Sequence, residues 1–263
     1  MNEKGTSNML VKTDESEQLL VPSGTTVNEI PRFRGALEDL VTSNVNTIEL
    51  SCSNLDHVTS SHVNLLWQAR MRCHENGKKV VLTDVRENLV KVLEVLDLYD
   101  EFEIQLLDSN NQKTEKKPKK LSVRSDHISL EIGVDSISIS AGLTALREFL
   151  RNNRAPRDSA VEIETLFYEV VTNIRLHSGM APSDKIKLDI VTDQNLGRLT
   201  FEDKGIGFDP TSKEDDFQPK LAAKKSQRRG FGLIMIHRMS DRMNYERIDG
   251  CWNVFTIEKY WSF

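Results

Sequence analysis

Two spacings of apolar residues share the first half of the chain. VNTIELSC (Val45–Cys52) and KVVLT (Lys79–Thr83) are short β-rich runs; the second is almost continuous, as expected of a strand covered on both faces. Between them the pattern predicts a helix from about Ser60 to Glu75, stopped by Asn76-Gly77. Leu89, Val92, Leu93 and Leu96 recur at i, i+3, i+4 and i+7, one face of another helix. Short strands at Met9–Lys12 and Gln18–Val21, around the polar turn KTDESE, and at Phe102–Leu106 complete the half. Strands alternating with helices predict an α/β layer domain, with helices packed on a small sheet.

The second half has a different rhythm. A strand at His127–Val134 and a helix at Ile139–Asn153 lead, through Arg154-Ala155-Pro156, to a long helix from about Asp158 to His177. Strands at Lys185–Thr192 and Arg198–Glu202 follow, joined by the turn QNLG. After a polar stretch come a short apolar helix, Phe231 to Asp241, and strands near Met243–Arg247 and Trp252–Glu258. Three helices against an antiparallel-rich sheet predict an α+β sandwich.

Between the halves lies DSNNQKTEKKPKK (Asp108–Lys120), with no aliphatic residue and five lysines. It reads as a solvated linker, with a nucleic-acid tail as the alternative. The expected layout is a domain over residues 1–107, a lysine-rich linker over 108–122 and a second domain over 123–263. The net charge of −5 argues against nucleic acid as the main partner. Cys52, Cys73 and Cys251 are few, dispersed and odd in number, which fits a reducing compartment without a disulfide framework. No signal-peptide core or membrane-length apolar run is visible, so the expected location is the cytoplasm.

Three segments of the second half carry candidate chemistry. On the long helix, at about 100° per residue, Ile163, Phe167, Val170 and Ile174 form the stripe expected to be buried. Glu169 and Asn173 share a face roughly 110° from the stripe's centre, placing them at the core–solvent boundary. A mid-helix Asn disfavours the helix, so it needs a reason; a solvated helix side is the alternative. Next, Asp203-Lys204-Gly205-Ile206-Gly207 leaves a strand end, with two glycines that permit positive φ and close ligand approach. An ordinary tight turn is the plain reading. Finally, Arg229-Gly230-Phe231-Gly232 opens a helix whose free N–H groups suit phosphate. Between the last two lies a lid, with Lys220, Lys224, Lys225, Arg228 and Arg229 crowded at its far end.

In this order and spacing the three segments resemble the ATP-binding domain of GHKL ATPases and histidine kinases, most closely the anti-sigma-factor serine kinases. EVVTNIRLHS resembles their N box, DKGIGFDP their first glycine box and RGFGLIMIHRMSD their second, over about Ser125–Phe263. The resemblance implies ATP and Mg²⁺ as cofactors. It makes Asp203 the acceptor for the adenine amino group and lets the backbone pass the nucleotide at Gly205 and Gly207. Asn173 becomes the Mg²⁺ ligand and Glu169 the general base. Gly230 and Gly232, with Lys225 and Arg229, face the phosphates. His177, one turn beyond Asn173, reads as a packed polar contact. No phosphoacceptor-helix segment is visible before this domain, which makes a histidine kinase the weaker reading.

In the first half, CSNLDHVTSSHV (Cys52–Val63) resembles the phosphorylation loop of STAS domains, the anti-sigma-factor antagonists; about Met9–Leu107 is covered. Position makes Ser61 the candidate phosphoacceptor. Thr59 stands where the family has an acid and His62 where it has glycine, and the lost glycine predicts a strained helix start. Ser60 or Ser61 as a plain helix N-cap is the alternative. Together the two resemblances imply a partner-switching regulator that phosphorylates a serine on a STAS antagonist. The implied partners are that antagonist, a sigma factor or other regulatory target, and a second copy of the chain in a homodimer, with no nucleic acid or membrane. The alternative is a non-catalytic ATP/ADP-sensing scaffold with a degenerate STAS docking module.

Overall fold

The computed structural model describes residues 10–12, 16–23, 29–107, 123–212 and 231–263. The chain divides into two compact units, Met1–Lys113 and Thr114–Phe263.

Among the described residues, the first unit's sheet holds strands in the order β1 (Leu10–Lys12), β2 (Ser16–Leu20), β3 (Thr47–Ser51), β4 (Lys79–Val85) and β5 (Glu103–Leu106). β1 and β2 are antiparallel; β2 through β5 run parallel. The crossovers carry helices α1 (Glu29–Thr42), α2 (Ser60–Glu75) and α3 (Glu87–Val95). Parallel strands need such crossovers, and the interior strands are correspondingly apolar: Ile48, Leu50 and Leu82 are fully buried. Gly77 stops α2 with φ of +69°, as the Asn76-Gly77 pair predicts. The sequence reading missed α1. Its Pro31 and Gly35 interrupt the apolar pattern, yet buried Phe33, Leu37, Leu40 and Val41 follow helical spacing.

In the second unit the described strands form one antiparallel sheet, ordered β6 (Asp126–Gly133), β7 (Lys185–Thr192), β8 (Leu196–Asp203), β10 (Trp252–Tyr260) and β9 (Arg242–Ile248). Its described helices are α4 (Ser136–Asn152), α5 (Arg157–His177) and α6 (Phe231–Met239). The mixed architecture is therefore the expected one: an α/β unit followed by an α+β sandwich. α4 starts earlier than Ile139 because Asp135 caps it, accepting the N–H groups of Ile137 and Ser138, each at 2.9 Å. β8 begins at Leu196, inside the expected QNLG turn. Asp193 closes the shorter turn by accepting the N–H groups of Asn195 and Leu196.

α5 is the central element. It packs on β8 and β10 and against both α4 and α6, so more than one stripe is buried. Phe167 on α5 and Phe201 on β8 are fully buried, with ring centroids 6.4 Å apart. Glu169, expected at the boundary, is only 2% exposed because neighbouring helices cover its side of α5. Ile174, expected in the buried stripe, is only partly covered. Among the described residues, no helix is long and apolar enough to cross a membrane.

Candidate functional site

A cleft opens between the C-terminal half of α5, the turn after β8, and the β9–β10 pair. Asn173, His177 and Ser178 come to it from α5, Asp203 from the end of β8, and Tyr245 and Asn253 from β9 and β10. Its walls are otherwise apolar: Val170, Ile174, Ile236 and Phe255, with Ile206, Phe208 and Pro210 from the turn. A mostly apolar cleft with a few converging polar groups is the usual form of a small-molecule site.

Asn173 and Asp203 therefore meet at one cleft. Asp203 is buried, at 6% exposure. Its Oδ1 accepts the N–H of Gly205 at 2.7 Å and the Nδ2–H of Asn253 at 2.9 Å. Its second oxygen makes no hydrogen bond among the described residues and is left to a donor in the cleft. Asn253 is the partner that the sequence reading missed. It stands directly opposite Asp203 in the β8–β10 register. It also occupies the inward phase of β10 with buried Phe255 and Ile257, so a polar residue there was a legible signal.

The glycines of the turn are needed for proximity rather than for positive φ; the described glycines with positive φ are Gly77, Gly179 and Gly250. A Cβ on Gly205 would stand 2.2 Å from Ser178 Cβ and 2.8 Å from the Ser178 carbonyl oxygen. That oxygen accepts the N–H of Ile206 at 2.7 Å, which clips the turn to the end of α5. We expect Gly205→Ala to lose about 2–3 kcal/mol of stability, read as a lower melting temperature. Gly207 lies beneath Arg247, whose Nη1 would be 2.4 Å from a Cβ there.

Glu169 is not among the cleft-lining residues, although it sits one turn before Asn173. His177 is exposed and lines the cleft, instead of packing as expected. Gly232 lies buried in the first turn of α6. Lys225, Arg229 and Gly230 fall outside the described residues, as does most of the segment expected to form a lid, about Phe208 to Arg229. No group of three or more His, Cys, Asp or Glu side chains suited to a metal ion occurs among the described residues. A hard cation that keeps its waters and phosphate oxygens needs no such cage, so a lone carboxamide oxygen from Asn173 suits Mg²⁺.

In the first unit, Ser61 is exposed at the second position of α2. The cap is Thr59, not Ser60 or Ser61. His62 completes a capping box: its Nδ1 accepts the Thr59 N–H at 3.1 Å. The two departures from the family loop thus fit each other, and the expected strain is absent from this helix start. Arg86 and Asn88 hold the preceding loop through the carbonyls of Ser53, Leu55 and Asp56. Burial pushes the Cys52 thiol up to about 12, so it is no nucleophile at neutral pH.

Burial also pulls the His62 imidazole down to about 4. Its folded value lies below the free value near 6.5, so the unfolded chain binds the proton first. Stability is full above about pH 6.5 and falls by about 3 kcal/mol as pH drops towards 4. Hydrogen-exchange protection of α2 should show this loss, and His62→Gln, which keeps the capping box, should remove it.

The fold and the cleft define a two-unit protein: an α/β layer domain, then a helix-backed antiparallel sheet with a mostly apolar cleft. Residues 135–258 match the histidine kinase-like ATPase domain family, and residues 9–108 match the family described as Mlab, STAS domain. The first unit is thus STAS-like and the second is like the histidine kinase-like ATPase domain. Among solved structures it is similar to the SiaB–SiaC complex from Pseudomonas aeruginosa, at 14% identity and a TM-score of 0.36, over 51% of this chain and 89% of that one. It is also similar to the RsbU and RsbW domains of Rv1364c from Mycobacterium tuberculosis. That match has 13% identity and a TM-score of 0.39, over 52% of this chain and 33% of the other. No curated protein matches the chain.

Proposed function

We propose that the second unit binds Mg-ATP and phosphorylates a serine on a STAS-type antagonist, either its own first unit or a separate protein, as part of a partner switch. The observation that carries this reading is the meeting of Asn173 and Asp203 at one apolar cleft, with an Asp203 oxygen left for a donor. Asp203 would accept the adenine amino group, and the backbone at Gly205 and Gly207 would lie against the nucleotide. Asn173 would hold Mg²⁺, which offsets phosphate charge. Glu169 would accept the proton of the serine hydroxyl as its oxygen bonds to the γ-phosphorus and ADP leaves. Gly232, with Gly230, Lys225 and Arg229, would face the phosphates.

In the first unit Ser61 is the proposed phosphoacceptor. It is exposed, and the first turn of α2 contains no acid, so an added dianion meets the positive end of the helix. A sigma factor or other regulator, and a second copy of the chain, are the further proposed partners, with the cytoplasm as the place of action.

One observation favours a second reading, a nucleotide-sensing scaffold without transfer: Glu169 is buried and outside the cleft lining. Incubating the chain with γ-labelled ATP, Mg²⁺ and STAS proteins separates the two. Label appearing on a serine supports the kinase, whereas tight binding without transfer to any STAS protein selects the scaffold.

A further inference from the structure

Asp203 is set by residues outside the three nucleotide motifs. The Asn253 amide has two ends, and each meets partners of one kind. Its Oδ1 accepts Arg247 Nη1–H at 2.6 Å and Tyr245 O–H at 2.8 Å. Its Nδ2 donates to Asp203 Oδ1 at 2.9 Å and to the Gly205 carbonyl at 3.1 Å. A guanidinium only donates and a peptide carbonyl only accepts, so both ends demand the same orientation. Turning the amide over would set donors against donors and acceptors against acceptors. Arg247 is itself anchored, donating from Nε to the Gly250 carbonyl at 3.0 Å while it lies over Gly207.

The consequence falls on Asp203. With its Oδ1 taken by Gly205 N–H and Asn253 Nδ2–H, the carboxylate offers an acceptor to the cleft. A base carrying an exocyclic amine at that point gains a hydrogen bond; one carrying a carbonyl sets acceptor against acceptor and leaves a buried group unpaired. We infer that Asn253, braced by Tyr245 and Arg247, fixes the hydrogen-bonding face of Asp203 and so makes the cleft select adenine-type over guanine-type nucleotides. This rests on the nucleotide-binding reading above. Asp203 takes the hydrogen bond from the base; Asn253, Tyr245 and Arg247 act through it as positioning residues.

The test is calorimetric titration of the full chain with Mg-ATP and with Mg-GTP, for the wild type and Asn253→Asp. The new carboxylate still accepts from Arg247 and Tyr245, so the β9–β10 hairpin keeps its bonds. It lacks the N–H aimed at Asp203 until it shares a proton with that carboxylate, which acid restores. Other titratable or charged groups near this spot are Lys204, which follows Asp203 and lies over the Trp252 ring, Tyr245 and Arg247 on β9, His177 on α5, and His237 on α6, which bonds the Pro210 carbonyl. The wild type measured at each pH accounts for them.

The ATP-over-GTP affinity ratio should fall at least about tenfold in Asn253→Asp at about pH 8, and recover at least about threefold at about pH 5.5. Arg247→Met, at an exposed position, should lower the ratio about threefold by freeing the amide. An unchanged ratio in both variants, with wild-type ATP binding intact, overturns this inference alone. An Asn253→Asp loss that is equal at both pH values marks general damage and also overturns it. A wild type that binds neither nucleotide overturns the nucleotide reading, and this inference with it.

Discussion

Asp203→Asn should weaken ATP binding by at least about 100-fold while leaving the melting temperature close to that of the wild type. The substitution is nearly isosteric, and its oxygen has a fixed place: Gly205 N–H and Asn253 Nδ2–H both donate to Oδ1. The amide nitrogen must then stand where the second carboxylate oxygen was, presenting a donor to the amino group of the base. Donor facing donor in a buried site costs more than a missing contact, because neither group has water to turn to. Asp203→Ala would be less informative, since it also strands Gly205 N–H and Asn253. Calorimetric titration measures the affinity, and thermal melting shows whether the network around Gly205 survives.

Glu169→Gln should slow phosphate transfer to a STAS serine by about 10²–10⁴-fold and leave ATP affinity within about threefold. The carboxamide keeps the shape of a side chain that is 2% exposed in the packed middle of α5. It cannot take up a hydroxyl proton. Because Glu169 does not line the cleft, nucleotide binding has no direct reason to change. Single-turnover label transfer gives the rate and titration the affinity. Transfer that proceeds undiminished would remove Glu169 from the role of base.

Much of this was legible along the chain, for reasons that particular residues make plain. The D-x-G-x-G turn and the helix bearing Asn173 announced themselves because each breaks a local rule: paired glycines at a strand end, a poor helix former mid-helix. Their meeting at one cleft required tertiary structure, through the clip between Ser178 and Ile206. Glu169 was misplaced because a single-helix stripe assumes one covered face, whereas α5 is covered by the sheet, α4 and α6. Asn253 was overlooked because it sits outside every glycine-marked segment; only its phase in β10 marks it. At α2 the family loop suggested strain, but Thr59 and His62 together supply the cap that either alone would not.

The central claim is that this cleft holds an adenine nucleotide with Asp203 reading the base. A crystal structure of the full chain grown with Mg²⁺ and a non-hydrolysable ATP analogue tests it most directly. The account predicts the adenine amino nitrogen within hydrogen-bonding distance of the second Asp203 oxygen, with the Asn173 side chain facing the metal. An analogue bound elsewhere, or a base turned away from Asp203, would contradict it.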